Sequence, residues 1–138
     1  MLTRLLKTKL HRPVVTFTDE DYHGSITIDT DLLKASGLLP NEMVLIADSE
    51  NGNRFETYVI PGEAGSGVIA INGAAAKLTG IGHRLIVMSF VDAAAHEVMA
   101  HVARIVIVDE RNKVTEIIEQ PTDLARAHIQ ELPASARR

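Results

Sequence analysis

Strand-like runs follow one another along this chain at short intervals, and none is long. Pro13–Phe17, Ser25–Ile28, Glu42–Ala47, Arg54–Ile60, Val68–Ile71, Leu85–Val91 and Val102–Val108 are each rich in Val, Ile, Leu or Thr. Val114–Ile118 adds a last run. Gly, Pro and Asn-Gly clusters separate them, so long helices and coiled coils are ruled out and a mostly β domain is the expected outcome. Asn51-Gly52 lies between two such runs and predicts a tight hairpin. Pro61 to Gly67, with three glycines, predicts a loop.

Two short helices fit between the strands. Asp29 can cap Thr30–Ser36, stopped by Gly37, and Asn72 can cap Gly73–Thr79, stopped by Gly80. These units resemble each other. Ile28-Asp29, Lys34, Gly37 and Leu38 match Ile71-Asn72, Lys77, Gly80 and Ile81, each pair 43 residues apart. Two units this short can be alike by chance; a real repeat predicts a barrel built from two related halves, and closure also removes most exposed sheet edges. Residues 120–138 predict a helical or flexible tail, with a terminal helix over Thr122–Gln130 and a frayed Pro-Ala-Ser-Ala-Arg-Arg end.

With 138 residues the chain predicts one domain. It has no cysteine, so disulfide, thiolate and Cys-based zinc chemistry are excluded. The longest apolar run, Leu85–Val91, is far short of the ~18 residues that span a membrane. Arg4, Lys7, Lys9 and Arg12 precede no signal-type apolar segment, so a cytoplasmic location is expected. A net charge of −4, few aromatics and no Trp argue against nucleic-acid binding. The basic N-terminus therefore needs its own explanation, the ordinary one being a lysine-protected strand edge.

Common catalytic motifs fail on spacing. His96 and His101 are five residues apart, whereas two ligands on one helix face need four, so no metal site is expected. Gly62, Gly65 and Gly67 are not followed by the Lys-Ser/Thr of a phosphate loop. No Gly-x-Ser-x-Gly elbow occurs.

Four ordered segments say more. They are Lys9-Leu10-His11-Arg12, Asp21-Tyr22-His23-Gly24-Ser25-Ile26-Thr27-Ile28-Asp29, Asn51-Gly52-Asn53-Arg54-Phe55-Glu56-Thr57-Tyr58 and Ile71-Asn72-Gly73-Ala74-Ala75-Ala76. Together they closely resemble the pyruvoyl-dependent aspartate 1-decarboxylase family. The resemblance runs to about Phe90 and weakens afterwards, although Arg104–Asn112 is still similar to the family's last strand and turn. It departs at Lys77, where His is frequent, and at His83, where Asp is frequent. It implies a double-psi β-barrel with two or three short helices, consistent with the repeat.

The implied activity is decarboxylation of L-aspartate to β-alanine for pantothenate and coenzyme A synthesis. Loss of the carboxylate leaves a carbanion that needs an electron sink, a role commonly filled by pyridoxal phosphate. No pyridoxal phosphate site is expected here. The family makes a pyruvoyl group instead, by autocatalytic cleavage between Gly24 and Ser25. Ser25 becomes the pyruvoyl, which forms the Schiff base with substrate. Gly24 is expected to tolerate strained backbone that brings Oγ onto its carbonyl. Thr57 is implied in cleavage and substrate binding, and Tyr58 is implied as proton donor. Lys9 and Arg54 would meet the two carboxylates, as a point charge and a bidentate fork. Asn72, Gly73, Ala74 and Ala75 would present backbone N–H groups at a helix start. Tyr22 and His11 would line the same pocket. Each residue also has an ordinary explanation: a β-branched strand residue for Thr57, an amphipathic one for Tyr58, exposed strand charges for Lys9 and Arg54, helix propensity for the alanines.

The resemblance also implies a homotetramer with active sites between subunits, and a maturation helper protein is a candidate partner. The competing class is a non-catalytic barrel that binds a ligand or partner, since a fold alone does not fix function.

Overall fold

A computed structural model describes residues 1–136. Nine strands carry the fold: β1 Leu2–Val14, β2 Phe17–Asp19, β3 Ser25–Asp29, β4 Met43–Asp48, β5 Arg54–Gly62, β6 Ile69–Asn72, β7 Arg84–Ala94, β8 Val102–Val108 and β9 Val114–Pro121. Between them lie α1 Thr30–Ser36, a 3₁₀ turn Gly73–Leu78, the single-turn α2 Ala95–Val98 and a second 3₁₀ turn Ala134–Ala136. The strands form one mixed sheet in the order β2-β6-β3-β5-β4-β7-β1-β8-β9.

The order explains the closure. β2, at one end, continues the chain of β1 after a two-residue break. Within that break the Thr16 N–H donates to the Ile69 carbonyl of β6 at 2.8 Å. β1, which lies between β7 and β8, therefore hands the chain across to the opposite edge at β2, and the sheet rolls into a barrel. The two related halves interlock: β3 pairs antiparallel with β6, and β4 with β7. Ile26, Ile28, Ile46, Val59, Ile69, Ile71, Leu85 and Val87 point inward and are fully buried. Each such side chain contributes about 1.5–3 kcal/mol of transfer free energy.

Side chains at the barrel's end fix the connections. The buried Asp29 caps α1 through the Asp31 N–H at 2.8 Å and also accepts from Gly65 N–H at 3.0 Å and Gly67 N–H at 2.8 Å. Gly37 ends α1 in the left-handed region at φ 80°, as its sequence position predicts. Asn112, buried at φ 60°, exchanges hydrogen bonds with both backbone groups of Val14 and donates to the Gly67 carbonyl. Its amide thus replaces a piece of strand.

Several expectations need correction. The basic N-terminus is the long strand β1, paired antiparallel with β7 and parallel with β8, and the Pro13–Phe17 run is split between β1 and β2. Thr122–Gln130 forms no helix. Leu124 and Ile129 are 82% and 78% exposed, so a helix there would have no packed face to stabilise it. Arg137 and Arg138 of the expected tail lie outside the described residues. Gly80 is not a helix stop, because the 3₁₀ turn ends at Leu78 and passes through an extended Thr79. The helix expected at Gly73 is 3₁₀, and Asn72 makes no side-chain cap. The turn α2 lacks an apolar face that a sequence pattern could reveal, for none of its residues is buried.

Candidate active site

Ser25 is the first residue of β3 and is fully buried. Its hydroxyl donates to the His23 carbonyl at 3.1 Å and accepts from Asn72 Nδ2 at 3.0 Å. The same amide nitrogen donates to Thr27 Oγ1 at 3.2 Å. Ser25 and Asn72 are direct cross-strand partners in the antiparallel β3–β6 pair, so their side chains leave the same face. That face is opposite to the one carrying Ile26, Ile28 and Ile71 into the core. Asn72 therefore serves Ser25 and not the following turn. Thr27 escaped the sequence reading, yet its spacing of two residues from Ser25 on a strand was signal enough to find it.

Gly73 follows Asn72 at φ 77°. A Cβ built on it would fall 2.6 Å from Gly24 Cα, 2.8 Å from Gly24 N and 3.3 Å from the Tyr22 carbonyl oxygen. The backbone of residues 22–24 thus rests directly on Gly73. Gly24 itself does not need to be glycine for space: its φ is not left-handed, and a Cβ there would meet nothing within 4 Å. The expectation of a strained Gly24 is corrected accordingly, and the close approach belongs to Gly73. Ala74 is exposed, whereas Ala75 packs partly against the core. Tyr22 is 52% exposed and meets the ring of His23 edge-on at 5.2 Å between centroids.

The parallel β3–β5 register pairs Ile26 with Val59. One residue earlier, Ser25 stands level with Tyr58 on the same face. Tyr58 is 37% exposed, and Arg54 and Glu56 are exposed beside it on alternate positions of β5. Thr57 points the other way, paired with the buried Val44. The two neighbours on β5 therefore serve opposite faces.

Lys9 and His11 lie elsewhere. Along the outer face, Arg54 pairs with Ala47, Ala47 with Ile86 and Ile86 with His11. Lys9 occupies the next outward position of β1, paired with Met88. Lys9 and His11 thus stand four strands from Ser25 along the β5-β4-β7 side of the sheet. Burial and then the charges of Lys9, Arg12 and Arg84 hold the His11 imidazole below its ordinary pKa. His101, singled out for metal spacing, instead bonds the Leu6 carbonyl at 2.7 Å.

The aspartate decarboxylase family model matches residues 1–115. The chain belongs to the aspartate decarboxylase family. Relatives named aspartate 1-decarboxylase include one from Neisseria meningitidis, 49% identical over 86% of this chain and 93% of its own length. Others come from Caldicellulosiruptor saccharolyticus, 47% identical over 85% of this chain and 91% of its own, and from a Geobacillus strain, 47% identical over 88% and 96%. The family match ends within the first residues of β9, which begins at Val114.

Proposed function

We propose that this chain decarboxylates L-aspartate to β-alanine and carbon dioxide, using a pyruvoyl group that it makes from its own Ser25. The observation that carries the reading is the buried Ser25 hydroxyl, held between the His23 carbonyl and the Asn72 amide at the start of β3. A strand has no need of two directional partners at its first side chain, but an intramolecular nucleophile does.

In maturation the Ser25 oxygen attacks the Gly24 carbonyl carbon. The Gly24–Ser25 amide becomes an ester and its nitrogen takes up the hydroxyl proton. Loss of the Ser25 α-proton then expels the Gly24 carboxylate and leaves a dehydroalanine at residue 25. One water adds and one ammonia departs. Residues 1–24 end in a carboxylate, and the second chain begins at residue 25. The residues around Ser25 suit such a group, because Asn72 offers an amide donor and Tyr58 a hydroxyl on the same face. Once formed, the pyruvoyl supplies a carbonyl electron sink for loss of the α-carboxylate.

The other residues bind, orient and move a proton. Arg54 shares an outer face with Tyr58 and is suited to a bidentate grip on one substrate carboxylate. Lys9 supplies a second cation from another copy of the chain, with His11 beside it, in a homo-oligomer whose sites lie between subunits. Tyr58 gives a proton to the α-carbon after carbon dioxide leaves. Thr57 belongs to the cleavage step, and the backbone of Gly73–Ala75 borders the substrate. The family membership and the relatives' shared name disfavour a barrel that only binds.

Intact mass spectrometry tests the reading. Two fragments, residues 1–24 and 25–138, are expected, the larger lighter by one ammonia than its Ser-started form. Ser25→Ala stays whole. An active sample made only of intact, unmodified chains would overturn it.

A further inference from the structure

We infer that Gly73 is a positioning residue for maturation: its missing side chain is the seat on which the peptide to be cut lies. This rests on the self-cleavage reading above and goes beyond the family's implied use of Gly73 as a border of the substrate site.

The inference comes from comparing glycines. Six have left-handed φ, and at Gly37, Gly52 and Gly82 an added Cβ would meet nothing within 4 Å. Those three need glycine for conformation alone. Gly73 needs it twice. At φ 77° its Cβ would also collide with Gly24 Cα at 2.6 Å and Gly24 N at 2.8 Å. Backbone atoms cannot swing aside as the end of a long side chain can. To restore an ordinary contact, the Gly24 backbone must retreat by about 0.8 Å, roughly the 1 Å scale on which a misplaced reacting group costs about 100-fold. The displaced atoms are those of the residue whose carbonyl Ser25 must attack. Asn72, the preceding residue, holds the attacking oxygen at 3.0 Å. One dipeptide on β6 and its following turn thus fixes both partners: Asn72 the nucleophile, Gly73 the peptide it attacks.

Gly52 provides a matched control, because its φ of 76° carries the same conformational cost without the collision. Wild type, Gly73→Ala and Gly52→Ala are purified as full chains. The fraction cut between residues 24 and 25 is followed by intact mass, and folding is checked by circular dichroism and thermal melting. Gly52→Ala is expected to lose stability but mature at the wild-type rate. Gly73→Ala is expected to fold and to mature roughly 10- to 100-fold more slowly. Gly73→Asn, whose side chain tolerates left-handed backbone better, relieves the conformational cost but keeps the Cβ, and is expected to be as slow. A folded Gly73 variant that matures at the wild-type rate overturns the inference. So does failure of both Gly73 variants to fold while Gly52→Ala folds, since Gly73 then serves folding. If wild type itself is never cut yet is active, the self-cleavage reading fails instead.

Discussion

On the proposed function Lys9 reaches the Ser25 site from a second copy of the chain, and mixing two impaired chains should therefore restore activity. Crossing the sheet from β3 to β1 passes β5, β4 and β7. At ~4.8 Å per strand that is about 19 Å along a curved surface. Side chains stand roughly perpendicular to a sheet, so outward groups on a barrel diverge as they leave it. The proposed site at Ser25 would then take its Lys9 from a second copy. Lys9→Ala loses one charge-assisted contact of ~1.5–3 kcal/mol, which lowers turnover roughly 10- to 100-fold. Ser25→Ala, on the proposed function, should form no pyruvoyl and be inert.

Suppose the two variants, carrying different tags, are co-expressed in equal amounts and the mixed oligomer is isolated on both tags. If the residues come from different copies, about one quarter of the sites combine an intact Ser25 with an intact Lys9. β-Alanine release should then reach about a quarter of the wild-type rate. If they come from one copy, no site has both, and release stays at or below about 5%, the Lys9→Ala activity of half the sites. The assay is carbon dioxide or β-alanine release per chain. A mixed oligomer at that lower level, with Lys9→Ala alone confirmed as impaired, would refute the geometric argument.

Other expected outcomes are independent of the assembly. Arg54→Ala should mature normally but lose affinity for succinate, measured by calorimetry, since a charge-assisted pair is worth ~1.5–3 kcal/mol. Tyr58→Phe should be cut at Gly24 and release little β-alanine, whereas Thr57→Val should accumulate uncut chain, because the two side chains leave opposite faces of β5. Asn112→Ala should lower stability by about 3 kcal/mol in urea titrations, because two half-buried backbone groups of Val14 and the buried Gly67 carbonyl lose their partner. The Asp29 carboxyl titrates lower than usual. Burial opposes ionisation, but the N–H groups of Gly67, Asp31 and Gly65, with Lys113, outweigh it. Its contribution to stability is thus complete above the ordinary carboxylate pKa and is lost as pH falls through the lowered folded value. Asp29→Ala should flatten that acid-side loss in urea titrations between neutral pH and pH ~3.

How far the sequence could be read depended on how local the controlling interaction was. The β4–β5 hairpin was legible because Asn51-Gly52 dictates its own turn, and α1 because Asp29 and Gly37 bracket it. The long strand β1 was not, since Leu2–Val14 mixes charged, polar and apolar residues whose partners lie about 70 to 96 residues away on β7 and β8. The Thr122–Gln130 helix was a local preference with nothing to pack against. At the site, the residue types were legible from the family's motifs, but their grouping was not. That Asn72 reaches Ser25, and that Lys9 stands four strands from it through β5, β4 and β7, follow only from strand order and register.

The repeat shows where function was placed on this scaffold. Asp29 and Asn72 occupy equivalent positions, each the last residue of its strand before a helical turn. Asp29 obeys the capping rule and its unit ends in regular α-helix with a left-handed glycine stop. Asn72 breaks the rule: its amide turns away from the chain that follows, which winds as a 3₁₀ turn, and holds Ser25 and Thr27 instead. The left-handed glycine has moved as well, from the end of the first turn at Gly37 to the start of the second at Gly73. Both departures sit against residues 22–25. The β3–β6 and β4–β7 pairs hold the second unit in place, so it can forgo its local cap. A rule of local structure is broken where the rest of the fold can bear it, and the freed groups are the ones that meet the Gly24–Ser25 segment.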